Sequence, residues 1–129
     1  MMRTIADIMT TKLVTFSPQM SIHEAINVLL KKHFSGAPVV NETGELVGVL
    51  SKKDCLKVVF LTGYYQDRGR AVNEYMSSNV TTIDADTDLV SAAELFLDSN
   101  FRRFPVLRAG HLVGQVSRSD LLESLIEEA

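Results

Sequence analysis

Gly48-Val-Leu-Ser51-Lys-Lys-Asp54 and Gly114-Gln-Val-Ser117-Arg-Ser-Asp120 are one seven-residue pattern written twice. On either side of it other residues align. Met9 matches Met76, Thr15 matches Thr82, and Ala25 matches Ala92. Phe34 matches Phe101, Pro38 matches Pro105, and Val39 matches Val106. The offset is 76 − 9 = 67 at the methionines and 114 − 48 = 66 at the glycines, so one residue is lost in a turn between them. A doubled unit predicts a pseudo-twofold structure with two equivalent crevices.

Each copy reads in the same order. A short helical start, Ile5 to Met9 or Val72 to Met76, precedes an extended stretch, Leu13 to Phe16 or Val80 to Ile83, rich in β-branched residues. An amphipathic helix follows. Ile22, Ala25, Ile26, Leu29 and Leu30 fall at i, i+3, i+4, i+7 and i+8, and Leu89, Ala92, Ala93, Phe96 and Leu97 repeat that spacing. Ser21 with Glu24 reads as a capping box, and Asp88 as an N-cap. Two strands with a turn come next: Ala37 to Val40 and Leu46 to Leu50, then Phe104 to Leu107 and Leu112 to Val116. The turn shortens from Asn41–Gly44 to Arg108–Gly110, which accounts for the slip in offset. A second helix closes each copy, Lys52 to Leu61 and Arg118 to Glu127, with Gly63 as the stop of the first. The fold class that follows is α+β, two tandem β-α-β-β-α repeats with small sheets packed on amphipathic helices. Residues 1–62 form the first repeat, 63–71 a polar linker carrying Tyr64 and Tyr65, and 72–129 the second.

Bulk properties narrow the classes. A chain of 129 residues, in copies of about sixty, predicts one compact module with a shared core. Its 46% hydrophobic and 22% charged residues are ordinary for a globular domain. A formal net charge of −3 argues against nucleic-acid binding by bulk positive charge. Cys55 is the single cysteine, so no intrachain disulfide can form; on an apolar helix face it reads as a small core residue. No stretch approaches the roughly 18 apolar residues of a membrane span. The N-terminus lacks the apolar run of a signal peptide, so a cytoplasmic location is expected.

The seven-residue pattern carries chemistry. Glycine allows a ligand or a backbone to approach closely. The strand ends at a serine where a helix begins, and a helix start offers unpaired N–H groups to polar or anionic ligands. Asp54 and Asp120 fall in the first turn, where a carboxylate could accept both hydroxyls of a ribose. The same spacing also fits a capping pair with Asp in place of Glu, favoured by the helix dipole without any ligand. Both roles are compatible.

The doubled β-α-β-β-α order, with an apolar residue and Pro-Val before the hairpin and the Ser-x-x-Asp pattern after it, resembles the CBS domain family. Two such units make a CBS pair, or Bateman module. The resemblance spans almost the whole chain, leaves no stretch for a catalytic domain, and implies a non-catalytic regulatory module. It implies nucleotides in crevices between the repeats, with ribose contacts from one repeat and base and phosphate contacts from the other. Carried over, one crevice pairs Ser51, Lys53 and Asp54 with Val80, Thr81, Thr82, Arg102, Arg103 and Pro105. The other pairs Ser117, Arg118 and Asp120 with Leu13, Val14, Thr15, His33, Ser35, Ala37 and Pro38. Arg102 and Arg103 suit phosphate, since a guanidinium makes paired hydrogen bonds, so the Asp54 crevice is expected to bind phosphates more tightly. A salt bridge of these arginines to Asp98 is the competing reading.

The implied ligand is AMP, ADP or ATP. S-adenosylmethionine and NAD are less expected, and S-adenosylmethionine, lacking phosphates, would make little use of the arginines. The resemblance also implies a homodimer and an unidentified regulated protein, with neither nucleic acid nor membrane as partner. The alternative is a dimerisation or interaction module whose crevices stay empty. His23, His33 and His111 are too scattered for a metal site, with His23 expected to face solvent. Asp84, Asp86 and Asp88 lack the glycine and terminal glutamate of a calcium loop and read as turn and cap residues.

Overall fold

Alternating apolar residues set two hairpins, and the apolar stripes lay helices against them. In the computed structural model, residues 2–62 and 70–128 are described. Tyr64, Tyr65 and the expected helix stop at Gly63 lie outside them. The order is α1 (Ile5–Ile8), α2 (Ile22–Lys32), β1 (Gly36–Val40), β2 (Leu46–Ser51) and α3 (Lys52–Thr62). A 3₁₀ turn at Val72–Glu74 then leads to β3 (Ile83–Asp84), α4 (Leu89–Leu97), β4 (Arg103–Arg108), β5 (His111–Ser117) and α5 (Arg118–Glu128).

The chain divides into two compact units that are not the sequence repeats. Residues 14–80 form one; residues 1–13 with 81–129 form the other. Each repeat thus gives its opening segment to the unit built on the other repeat's hairpin. Each unit has its own core, where length alone suggested a shared one. Phe16, Ile22, Leu29, Val39, Leu50 and Val72 centre the first; Ile5, Ile83, Leu89, Phe96, Val106 and Val116 centre the second. Ile5 and Val72, each from the exchanged opening, are fully buried and supply apolar surface that a sixty-residue repeat lacks.

In the unit 14–80, β1 pairs antiparallel with β2, and Phe16 lies parallel beside Val39. Phe16 N–H donates to the Pro38 carbonyl and Val40 N–H to the Phe16 carbonyl, each at 2.9 Å. The expected strand from Leu13 to Phe16 is reduced to the one bridge at Phe16: the chain crosses from one unit to the other at Leu13–Val14, and past Phe16 the Ser17 hydroxyl accepts from the Gln19 N–H as the chain turns. In the other unit β3 runs parallel to β4, which pairs antiparallel with β5. The second hairpin turns on Ala109 and Gly110 alone, with φ of 52° and 80°. The first needs the longer Asn41–Glu45 turn, where Asn41 Oδ1 accepts from the N–H groups of Thr43 and Glu45. Between the paired residues Val40 and Leu46 the first hairpin has five residues, and between Leu107 and Leu112 the second has four, which is the one residue lost between the copies.

Asp88 caps α4 as expected, accepting from the Ser91 N–H at 2.8 Å and its hydroxyl at 2.9 Å. These bonds hold its carboxyl below the usual range. The Ser21–Glu24 box does not form, since Ser21 makes no side-chain cap bond. Residues 70–72 return beside Ser21, and the Arg70 carbonyl accepts the first α2 N–H, that of Ile22, at 3.0 Å. The apolar stripes are also narrower than expected. Leu30 is 57% and Leu97 84% exposed, each about a quarter-turn from its stripe's centre.

The glycines that open the two patterns are sites of close approach by the exchanged segments. A Cβ on Gly48 would stand 2.6 Å from the Met76 sulfur and 3.0 Å from the Ser77 carbonyl oxygen. On Gly114 it would stand 2.5 Å from the Met9 sulfur and 2.9 Å from the Thr10 carbonyl oxygen. Reciprocal backbone bonds lock both contacts: Val49 with Ser77 at 2.9 Å each way, and Gln115 with Thr10 at 2.8 and 2.9 Å. Gly48→Ala and Gly114→Ala should each cost about 1–3 kcal/mol by overpacking. Urea unfolding measures this, and losses below about 0.5 kcal/mol at both positions would contradict the contact.

Candidate ligand-binding site

Strand direction decides which residues meet. Phe16 runs parallel to β1, and β2 runs antiparallel to it and ends with Ser51 opposite Gly36. Val14, Thr15, Gly36, Ala37 and Ser51 therefore gather at one end of the sheet, where α3 begins. Lys52 N–H donates to the Ser35 carbonyl at 2.8 Å and closes that end. The second unit repeats the layout. Ile83 pairs with Val106, so Thr81 and Thr82 approach the start of β4, and Arg103 stands opposite Ser117. Arg118 N–H donates to the Arg102 carbonyl at 2.9 Å.

Both Ser–Asp pairs are reciprocal caps. Ser51 N–H donates to Asp54 Oδ2 at 2.9 Å, and Asp54 N–H donates to Ser51 Oγ at 3.0 Å. Ser117 and Asp120 do the same at 2.9 and 3.1 Å. The cap leaves groups over. Each serine hydroxyl keeps its proton to donate, and Oδ1 of Asp54 and of Asp120 accepts no hydrogen bond among the described residues. All four residues are half-buried. Two of the first α3 N–H groups, those of Lys52 and Asp54, are already engaged. The side chains therefore offer more to a ligand than the helix terminus does.

The remaining candidates sort by unit. Val14, Thr15, Ser35, Ala37 and Pro38 lie with Ser51, Lys53 and Asp54. Thr81, Thr82, Arg102, Arg103 and Pro105 lie with Ser117, Arg118 and Asp120. Within each unit the structure thus joins residues that the resemblance assigned to opposite crevices. Leu13 and Val80 are half-buried at the ends of their units. Ala37 and Pro38 are buried and form a wall; Thr15, Ser35, Lys53, Thr81 and Arg118 are exposed. His33 is exposed and caps the C-terminus of α2 with φ 57°. Arg102 and Arg103 are exposed, and no ion pair to Asp98 forms among the described residues. Gly36, which the sequence offset sets where the second copy has Arg103, stands opposite Ser51 as Arg103 stands opposite Ser117.

Other expectations resolve locally. His23 is half-buried rather than solvent-facing, and exposed His111 has Nδ1 3.1 Å from the Ala109 carbonyl oxygen. Asp84 Oδ1 accepts from the Asp86 N–H, and Asp86 pairs with Arg108 at 3.4 Å. Among the described residues no cluster of His, Cys, Asp and Glu could hold a metal, and no helix is long and apolar enough to cross a membrane. Cys55 is buried. Burial, with a smaller push from the Asp54 carboxylate, raises its thiol to about 11.

The model of the CBS domain family matches residues 5–61 and 72–127, and the chain belongs to that family. The CBS domain-containing protein YhcV of Bacillus subtilis is 34% identical over 120 residues, 93% of this chain and 84% of that protein. The crystal structure of CBSX2 from Arabidopsis thaliana in complex with AMP shares 30% identity at a TM-score of 0.80, covering 97% of each chain. The CBS domain pair of protein MJ0100, solved with 5-methylthioadenosine and S-adenosylmethionine, shares 25% identity at a TM-score of 0.75 and covers 100% of both chains. The chain spans only 42% of an uncharacterized protein of Methanocaldococcus jannaschii and 14% of the A-adding tRNA nucleotidyltransferase of Aquifex aeolicus. Such domains thus occur both alone and within enzymes.

Two outcomes follow. Asp54→Ala should lower stability by about 0.5–2 kcal/mol as a lost cap, read by urea unfolding, and no change would contradict the reciprocal bonds. The folded chain keeps the Cys55 thiol protonated where the unfolded chain ionises it. Stability should therefore fall as pH rises from 9.0 toward about 11. Cys55→Ala should flatten that fall; an unchanged pH profile would show that the thiol is not its source.

Proposed function

We propose that this chain is a non-catalytic, cytoplasmic regulatory module that binds an adenosine-containing ligand, AMP, ADP or ATP, and relays its presence to a protein partner. One observation carries the reading: each unit sets a Ser–Asp cap at a sheet end with a free hydroxyl proton and a free carboxylate oxygen. A ribose diol is a matched ligand, its two hydroxyls donating to Oδ1 and accepting from the serine. The apolar wall at Val14, Ala37 and Pro38 suits an adenine face. Arg102, Arg103, Arg118 and Lys53 supply positive charge for phosphates. The relative solved with AMP supports this chemistry. The pair solved with adenosyl ligands keeps S-adenosylmethionine in the test, although it would make little use of the arginines.

The relay needs a ligand that prefers one arrangement of the module, since equal affinity for two arrangements shifts neither. Following the resemblance, Arg102 and Arg103 serve the ligand whose ribose Asp54 holds. The module acts as a homodimer, because several helices carry large apolar side chains in solvent, such as Phe60, which is 84% exposed. That surface also favours a second reading, an assembly module in which the Ser–Asp pairs serve only as caps.

Thermal unfolding against AMP, ADP, ATP, S-adenosylmethionine, NAD and adenosine separates the two. A true ligand at a hundredfold excess over its dissociation constant adds about 2.7 kcal/mol. Phosphorylated adenosines should raise the midpoint more than adenosine does, and Asp54→Ala should abolish the rise. Arg103→Ala should weaken ATP and AMP far more than adenosine. A double-mutant cycle should couple Arg103 to Asp54; coupling to Asp120 would move the phosphate site to the other Ser–Asp pair. No shift with any compound at millimolar concentration would favour the assembly module.

A further inference from the structure

Met9 and Met76 are equivalent residues of the two repeats, and each sets its thioether against the pattern glycine of the other repeat. Met9 also packs on the core that holds Val116, and Met76 on the core that holds Leu50. Both methionines are only half-buried, which leaves a small oxidant a route to them. Cys55, the single cysteine, is buried and keeps its proton, so it does not compete as a thiolate. A thioether needs no deprotonation to react.

The glycine side of each sulfur is closed. A Cβ on Gly114 would meet the Met9 sulfur at 2.5 Å and the Thr10 carbonyl oxygen at 2.9 Å; on Gly48 it would meet the Met76 sulfur at 2.6 Å and the Ser77 carbonyl oxygen at 3.0 Å. An oxygen added to sulfur on that side meets the same obstruction. It also faces a carbonyl oxygen, an acceptor with no proton to give. An oxygen added on any other side sets a strong dipole at the edge of a packed apolar core. Either way the thioether no longer fits its seat.

We infer that Met9 and Met76 are a paired modification site for hydroperoxides, and that sulfoxide formation there unseats the exchanged openings of both repeats. A sulfur lone pair attacks the outer peroxide oxygen, and the S–O bond forms as the O–O bond breaks. The proton on that oxygen passes to the departing oxygen. Sulfur gives up two electrons, and the hydroperoxide is reduced to an alcohol, or to water from hydrogen peroxide. Methionine sulfoxide reductases reverse the change. Gly48 and Gly114 stand three residues before Ser51 and Ser117, so one oxidant acts on both candidate ligand ends together. Unfolding reports the effect whatever ligand binds there.

Hydrogen peroxide treatment of the chain, followed by peptide mass mapping and urea unfolding, tests the assignment. Sulfoxide at Met9 and Met76 should lower the urea midpoint by about 0.5 M or more. The double variant Met9→Leu/Met76→Leu, close in volume, keeps the other three of the chain's five methionines and should hold its midpoint through the same treatment. Reduction of the sulfoxides should restore the wild-type midpoint. Should the double variant fail to fold, wild-type fractions separated by site of oxidation give the same comparison, and those oxidised only at Met2 or Met20 should keep the midpoint. An unmoved midpoint with both sulfoxides formed, or an equal loss when only Met2 or Met20 is oxidised, would overturn the assignment. So would an equal loss in the double variant.

Discussion

The thioether of Met76 rests against Gly48 and that of Met9 against Gly114, closer than any Cβ would permit. These two contacts seat the exchanged openings of the repeats. They also fix the strands that lead to the candidate sites, for Gly48 stands three residues before Ser51 and Gly114 three before Ser117. The backbone bonds of Ser77 to Val49 and of Thr10 to Gln115 pin the next residue along. A one-residue slip in either strand would turn its serine to the opposite face of the sheet. The glycine of the repeated pattern therefore serves packing first, and the serine and aspartate downstream depend on it.

The cap and the candidate site share atoms without competing. Asp54 spends Oδ2 on the Ser51 N–H and keeps Oδ1; Ser51 accepts at Oγ and keeps its proton. A ligand engaging the remaining groups would find them held in place by bonds already made within the helix turn. Such pre-organisation lowers the ordering cost of binding. Burial raises the Cys55 thiol beside this turn, which keeps a nucleophile silent there.

The sequence was legible where local chemistry decides structure. The two hairpins, the four long helices and the Asp88 cap follow from periodicity and from residue types that favour turns and caps. The Ser–Asp pairs were legible as both caps and site candidates because the spacing fits each. What escaped reading is set by distant chain. Ser21 and Glu24 have a capping spacing, yet Ser21 makes no cap bond, and the chain at residues 70–72 returns beside it, with the Arg70 carbonyl accepting the Ile22 N–H. Leu13 to Phe16 has strand composition, yet the chain changes unit at Leu13–Val14 and only Phe16 forms a bridge. Met9 and Met76 were visible as an aligned pair, but nothing local says that each packs in the unit built on the other repeat.

Backbone amide chemical shifts followed through a titration with AMP test most directly whether the sheet ends are the ligand sites. The account predicts changes concentrated at residues 14–15, 35–37 and 51–54, at 81–82, 102–105 and 117–120, or at both sets. Changes confined to the outer faces of α3 and α5, or none at saturating AMP, would contradict it.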